Sequence, residues 1–243
     1  MRTDKRFRVK TFNHEFLPDP DYTLKQVTLE TGRYYIEVDD DGEEFGIKYP
    51  SITTVLKESS TNDFSDIPVY YKNRGSERGN YMHDWAEQYV KNNLKLPLPK
   101  CQDLAEMDVY NTGAQLFYQI KPAIDKIDAI YMSEGMLKSK AYRIAGTVDL
   151  FCRINGKNIV LDYKSSSWRK REEEIQDYFQ QGVFYSETIK ETFGMPVHGV
   201  MILISTENEG FQTLFINENS AKYRAYQKQL VKARKHYALT KGF

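Results

Sequence analysis

Apolar and polar positions alternate in different ways along this chain, and the changes in period mark out its elements. In the first fifty residues, RYYIEV (Arg33 to Val38) and FGIKY (Phe45 to Tyr49) are aromatic and β-branched runs around DDDGEE, whose Asp-Gly suits a hairpin turn. Pro50-Ser51 opens SITTVLKE, which predicts a short helix capped by Ser51 or a neighbouring Thr. Residues 67–94 predict a helix with Met82, Trp85, Ala86 and Tyr89 on one face. The segment Pro97 to Lys100 breaks it, and a second helix is expected from Gln102 to about Ile130. From Tyr131 the pattern turns to strands at MSEGMLKS, AYRIAGTVDLFCRI and KNIVLDYKS. A helix over Arg171 to Glu191 follows, then strands at VHGVMILIS and FQTLFIN. A last helix from Asn219 carries Tyr223, Tyr226, Leu230, Ala233 and Tyr237 at helical spacing. This order predicts an α/β class: a mixed central β-sheet flanked by helices, with a helical N-terminal half and an N-terminal β-hairpin. One domain is expected over residues 1–243, read as a β-rich segment 1–50, a helical region 51–130 and an α/β core 131–243.

Composition narrows what such a domain can be. The 243 residues are 40% hydrophobic, enough for a sizeable core, and 18 Tyr, 13 Phe and 2 Trp exclude disorder throughout. The most apolar run, Val200 to Ile204, is too short to cross a bilayer, so no membrane partner is expected. MRTDKRFRVKTF has no apolar stretch behind its basic residues, which predicts an intracellular chain without a secretory signal, in a bacterial cytoplasm or an infected host cell. Cys101 and Cys152 alone exclude a disulfide framework, a four-cysteine zinc site and an all-cysteine iron–sulfur cluster. No G-x-x-x-x-G-K-[ST] signature is present, so neither a helicase motor nor a nucleotide cofactor is expected. The DDDGEE acids lack the spacing of an EF-hand loop and read as a solvated turn. Thirty-four Lys+Arg balance thirty-four Asp+Glu, but nothing acidic follows Glu218. The last helix is therefore basic, either as a solvated outer face or as a track for phosphates.

The most informative segment is GTVDLFCRINGKNIVLDYKS, Gly146 to Ser165. Asn155-Gly156 is a two-residue hairpin turn that pairs Ile154 with Lys157 and sets Asp149 directly opposite Asp162. Alternation then puts Asp149, Phe151 and Arg153 on one face with Val160, Asp162 and Lys164. Val148, Leu150, Cys152, Ile154, Ile159, Leu161 and Tyr163 form the other face, expected to be the core. Two facing carboxylates about 5 Å apart at Cβ repel, and a divalent cation such as Mg²⁺ or Mn²⁺ resolves that conflict. Lys164 projects to the same side, where it can orient a water or stabilise charge on a phosphate. A plainer reading is a surface face on which Arg153 and Lys164 neutralise the two aspartates. Residue types alone leave both open.

Gly146-Thr147-Val148-Asp149, followed thirteen residues later by Asp162-Tyr163-Lys164, resembles the catalytic core of the PD-(D/E)XK nuclease superfamily. Further elements resemble its RecB-like exonuclease branch: Gly79-Asn80-Tyr81-Met82-His83 with Glu87 one turn later, Gln181-Gly182-Val183-Phe184-Tyr185, and Glu134 ahead of Gly146. Tyr49-Pro50-Ser51-Ile52-Thr53-Thr54-Val55-Leu56 is similar to an element of the mitochondrial genome maintenance exonuclease group and related viral exonucleases. The resemblance extends, with gaps, from about Tyr49 to Tyr185. It departs at Asn80, where the family more often has threonine. Two cysteines also cannot supply the iron–sulfur cluster of some members.

The resemblance implies a restriction-endonuclease-like core and a metal-dependent deoxyribonuclease. The expected enzyme is an exonuclease on single-stranded DNA or single-stranded ends in replication, repair or recombination. A flap or structure-selective endonuclease and a non-catalytic DNA-binding recombination accessory are the alternatives. It further implies that Asp149, Asp162, the main-chain carbonyl of Tyr163 and His83 hold Mg²⁺ or Mn²⁺, while Lys164 positions the attacking water. Glu134, Gln181 and Tyr185 would support the site or the strand; Arg74, Arg78, Ser51 and Thr53 would contact DNA. Without the resemblance, His83 is a boundary histidine beside a core stripe, Gln181 and Tyr185 a polar helix edge, Arg74 and Arg78 solvated charge, and Ser51 and Thr53 helix caps. The expected partner is DNA, preferably single-stranded, bound by a monomer open to replication or recombination proteins. The helical N-terminal half would arch over the site and thread one strand.

Overall fold

A computed structural model describes residues 9–60, 66, 68–93 and 103–242. Residues 23–50 form a three-stranded antiparallel sheet, β1 (Thr23–Leu29), β2 (Gly32–Val38) and β3 (Glu44–Pro50), in the order β1-β2-β3. The expected hairpin is β2–β3, and β1 is an addition. Leu24 is its sole buried residue, so TLKQVTL carries no apolar alternation to announce it. Helix α1 (Ile52–Ser59) starts at Ser51, whose Oγ accepts from the Thr54 N–H at 3.0 Å, and it buries Ile52, Val55 and Leu56.

Helices α2 (Val69–Val90) and α3 (Leu104–Ile124) follow. The break expected at Pro97 to Lys100 lies outside the described residues. Helix α3 stops six residues before its expected end, because Ile127–Ile130 already belong to a strand. That strand, β4 (Ile127–Ser139), opens a five-stranded sheet with β5 (Ile144–Ile154), β6 (Lys157–Ser166), β7 (Gly199–Thr206) and β8 (Gly210–Asn217) in sequential order. β6 and β7 run parallel and every other pair antiparallel. The parallel pair requires a crossover, which α4 (Gln176–Phe193) supplies, and α5 (Ala221–Lys241), capped by Ser220, closes the chain. The architecture is thus mixed α/β, a five-stranded mixed sheet flanked by helices with a small antiparallel sheet ahead of it.

Both faces of the large sheet are covered. Leu150, Cys152, Ile159, Leu161 and Tyr163 pack with Met82, Trp85, Leu116 and Phe117 of α2 and α3. Phe151, Val160, Val200 and Ile202 pack with Phe179 and Val183 of α4 and Tyr223 of α5. This corrects the expectation of a single core face on the β5–β6 hairpin: Phe151 and Val160 are fully buried. A crossover helix on a parallel pair covers the face that a free hairpin would leave wet. Val148 also joins the α4-side cluster, so strict alternation along β5 fails around Asp149. Arg153 pairs with Glu15 at 2.8 Å and does not neutralise the aspartates. Among the described residues no helix is long and apolar enough to cross a membrane.

Candidate functional site

The Asn155-Gly156 turn sets the register as its residues require. Both have positive φ, 49° and 72°, and pairing runs from Ile154↔Lys157 to Leu150↔Leu161. There the ladder ends. Asp149 does not sit as a plain cross-strand partner of Asp162, which corrects the sequence expectation. Its Oδ2 instead accepts the Tyr163 main-chain N–H at 2.8 Å. A carboxylate reaching across the gap replaces a ladder bond, so β5 and β6 part where the two acids lie. On the other side of β5, β4 pairs through Ser133↔Leu150 and Gly135↔Val148, and Glu134 between them has φ 51°. A non-glycine residue in the left-handed region is strained, and the site gains the direction in which that carboxylate points.

The parted strands floor a cavity of about 350 Å³. β4 and β5 bring Glu134 and Asp149 to it, α2 brings His83, β6 brings Lys164, α4 brings Gln181 and Tyr185, and the start of α1 brings Ser51 and Thr53. His83, Glu134 and Asp149 each offer a ligand atom, and these atoms lie within 4.8 Å of one another. His83 Nδ1 is 3.5 Å from Asp149 Oδ2, and its ring stands edge-on to that of Tyr163. Asp162 lies just behind the lining, 1% exposed. Its Oδ2 is 2.5 Å from Lys164 Nζ, while its Oδ1 has no hydrogen-bond partner among the described residues. Lys164 Nζ also stands 5.2 Å from the Tyr178 ring centroid.

Burial sets the protonation of these groups. It pushes the Glu134 carboxyl up to about 8, helped by Asp149 and Glu87. It raises Asp162 to about 6 against the pull of Lys164. Asp149 is raised by burial too, in spite of Lys164 and the Tyr163 N–H. His83 is lowered to about 4 by burial and by the neighbouring Lys164 ammonium, so its imidazole is neutral at physiological pH. Burial acts to lower Lys164, but Asp162 and Asp149 outweigh it and hold the ammonium above its ordinary range. A neutral imidazole beside crowded carboxyls is a donor set that could hold a divalent cation. The partnerless Asp162 oxygen fits the same need.

Gln181 Nε2 donates to Tyr185 Oη at 3.4 Å, both side chains being buried. Gly146 is what admits Tyr185: a Cβ there would lie 2.7 Å from Tyr185 Oη and 3.1 Å from Ile52. Ser51 caps α1 and also shares a 2.9 Å hydroxyl hydrogen bond with Thr53, so capping and lining the cavity coincide.

Arg74 and Arg78, expected to contact DNA, lie away from the cavity. Arg74 pairs with Glu207 at 3.2 Å and Asp108 at 3.1 Å, and the buried Arg78 pairs with Glu207 and contacts Ser167 Oγ. Both tie α2 to the turn after β7, and neither lines the cavity. Glu134, which the resemblance implies as a supporting residue, stands within the cluster formed with His83 and Asp149. Arg33 and Tyr35 line the cavity without having been singled out. The signal was present: β2 pairs with β3, and β3 runs straight into Ser51, so alternate residues of β2 must border the start of α1. On the basic α5, Lys222 and Lys241 pair with Glu172 and Glu58. None of its cations lines this cavity.

No protein-family model matches the chain. Over 95 residues, 38% of its length, it is 30% identical to an ATP-dependent helicase/nuclease subunit of Clostridium botulinum (strain Alaska E43 / Type E3). It spans 8% of that curated relative. A solved Eubacterium rectale protein described as a candidate exonuclease superposes with a TM-score of 0.47 and 12% identity, covering 79% of this chain and 75% of the other. Part of the chain is therefore similar to a small segment of a helicase/nuclease protein.

Proposed function

We propose that the chain is a Mg²⁺- or Mn²⁺-dependent deoxyribonuclease, a single nuclease domain that hydrolyses phosphodiester bonds of single-stranded DNA or single-stranded ends. The observation that carries this reading is the convergence of His83, Glu134 and Asp149 in one cavity, with Lys164 beside them and Asp162 behind. The relative's name joins helicase and nuclease, and this sequence has no phosphate-binding G-x-x-x-x-G-K-[ST], so the nuclease half is the one its chemistry fits.

In this reading His83, Glu134 and Asp149 hold the metal, together with Asp162 and the main-chain carbonyl of Tyr163. A bound divalent ion supplies Lewis-acid charge to the phosphate and lowers the pKa of water. Asp162 keeps Lys164 charged and fixes its ammonium at the cavity edge, where it donates to the attacking water and to negative charge growing on the phosphate. The Tyr163 N–H holds the Asp149 carboxylate in place. Gln181, Tyr185, Ser51 and Thr53 offer polar groups to the strand's sugar-phosphate backbone.

The need for a free end follows from the exonuclease resemblance, and the DNA role belongs to replication, repair or recombination. The test is a paired digest of linear and circular single-stranded DNA of equal length with Mg²⁺ or Mn²⁺. Degradation of the linear form alone is expected. Cleavage of the circle would replace the exonuclease with an endonuclease on the same site, and metal-independent inertness towards both would leave a DNA-binding accessory.

A further inference from the structure

We infer that Arg33 is the strand's phosphate anchor, a guanidinium carried by the small N-terminal sheet that pairs with a backbone phosphate beside the one being hydrolysed. The inference rests on the nuclease reading above and names a residue that reading does not use. Arg33 and Lys164 are the two permanently cationic side chains among those lining the cavity, which they share with the carboxyl groups of Asp84, Glu87, Glu134 and Asp149. Lys164 is already engaged with Asp162 at 2.5 Å. The Arg33 guanidinium makes no hydrogen bond or ion pair among the described residues, whereas Arg74, Arg78 and Arg153 are each paired with carboxylates away from the cavity. A polyanion entering an acid-lined cavity needs a fixed cation there, and an exposed arginine offers a bidentate fork to phosphate oxygens.

The backbone beneath that side chain is held unusually firmly for an exposed strand end. The Arg33 N–H donates to Thr54 Oγ1 at 3.0 Å, and the Arg33 carbonyl accepts from Thr54 Oγ1 at 3.2 Å and from the Ser51 N–H at 2.8 Å. Gly32 lets β2 lie this close: its φ is 134°, and a Cβ there would meet Thr54 Cγ2 at 2.6 Å. Two residues on, Tyr35 shares Arg33's side of the strand, and its Oη shares a 3.0 Å hydrogen bond with Thr147 Oγ1, two residues before Asp149. Tyr34 turns the other way, to Tyr237. The backbone of Arg33 is thus held to the start of α1, the neighbouring Tyr35 ties the same strand to β5, and the guanidinium has no partner among the described residues. Such an anchor is preorganised, so binding orders only one side chain.

The test compares wild type, Arg33→Ala and Arg33→Lys in steady-state degradation of a labelled single-stranded oligodeoxynucleotide over a salt series. Metal-induced thermal shift is the separate readout. Arg33→Ala should raise KM about tenfold to a hundredfold, the range of one charge-assisted hydrogen-bonded contact, with little change in kcat. The salt dependence of kcat/KM should become shallower by about 0.7 in log–log slope, the loss of one single-strand phosphate contact. Arg33→Lys should restore the slope and only part of KM. The thermal shift with Mn²⁺ should be equal in all three proteins. Unchanged KM and slope in Arg33→Ala, with an active wild type, would overturn the anchor and leave the nuclease reading standing. A thermal shift lost with Arg33 would also overturn it, by moving the residue's action to the metal. A wild type that degrades nothing would remove both readings.

Discussion

Glu134 combines a backbone conformation that glycine prefers with a carboxyl that the cavity keeps protonated to about pH 8. Replacing it with glycine relieves both. The left-handed conformation costs a non-glycine residue about 1–2 kcal/mol, and glycine gives back roughly 0.5–1 through its freer unfolded chain. At pH 5 the metal-free variant should therefore gain about 0.5–1 kcal/mol, a rise of roughly 1–4 °C in Tm. The pH dependence adds to this. The folded protein holds the Glu134 proton up to about 8, and the unfolded chain releases it near the ordinary 4.5. The native state therefore binds more protons between these values, and metal-free stability falls as pH rises through that window.

One proton sets a limit of about 1.4 kcal/mol per pH unit. Solvent in the cavity screens the group, so the advantage of Glu134→Gly should grow by on the order of 1–2 kcal/mol from pH 5 to pH 8.5. Asp162, raised to about 6, has the same sign at lower pH and remains in the variant. Glu134→Ala keeps the strained backbone and loses the carboxyl, so it should melt about 1 kcal/mol below Glu134→Gly at both pH values. The assay is thermal melting with EDTA and with Mn²⁺ at pH 5 and 8.5. Wild type at a hundred times its Kd should gain about 2.7 kcal/mol from the metal, and both variants much less. A Glu134→Gly protein that melts below wild type at pH 8.5 would show that Glu134 is not strained, and one that keeps the full metal shift would show that it is not a metal ligand.

Three further perturbations test other parts of the site. Lys164→Ala should lower kcat by on the order of 10²-fold with a small change in KM, because its ammonium acts on charge that grows in the transition state; single-turnover kinetics would show it. Gly146→Ala should place a methyl against Tyr185 and Ile52, lowering stability by about 1–3 kcal/mol in urea melts and weakening activity through the displaced Tyr185. Neutralising Lys228, Lys232 and Lys235 of α5 together should leave the salt dependence of DNA binding unchanged if the strand stays at the cavity, and a flattened slope would add that helix to the binding surface.

The hairpin shows how far sequence alone reaches. The Asn155-Gly156 turn fixed its register, because two positive-φ residues admit one two-residue loop, and that register held to Leu150↔Leu161. It failed at the next pair for a reason no alternation rule contains: Asp149 bonds the Tyr163 N–H and parts the strands. The place of Glu134 depends on a left-handed residue in mid-strand, which the run MSEGMLKS does not signal. Arg74 and Arg78 looked available because an arginine's partner, here Glu207 more than a hundred residues away, is invisible along the chain. Helix α1 was legible because Ser51 and Thr54 carry their own cap. Strand β1 was not, since an exposed edge strand leaves no apolar trace.

Under the proposed function, metal-dependent DNA hydrolysis in this cavity runs through Asp149, Asp162 and Lys164. The most direct measurement is release of label from linear single-stranded DNA by wild type and by Asp162→Asn, each with EDTA and with Mg²⁺ or Mn²⁺. Release is expected from wild type only when metal is present, and is expected to be lost in a folded Asp162→Asn protein. Release in EDTA, or undiminished release by Asp162→Asn, would contradict that function.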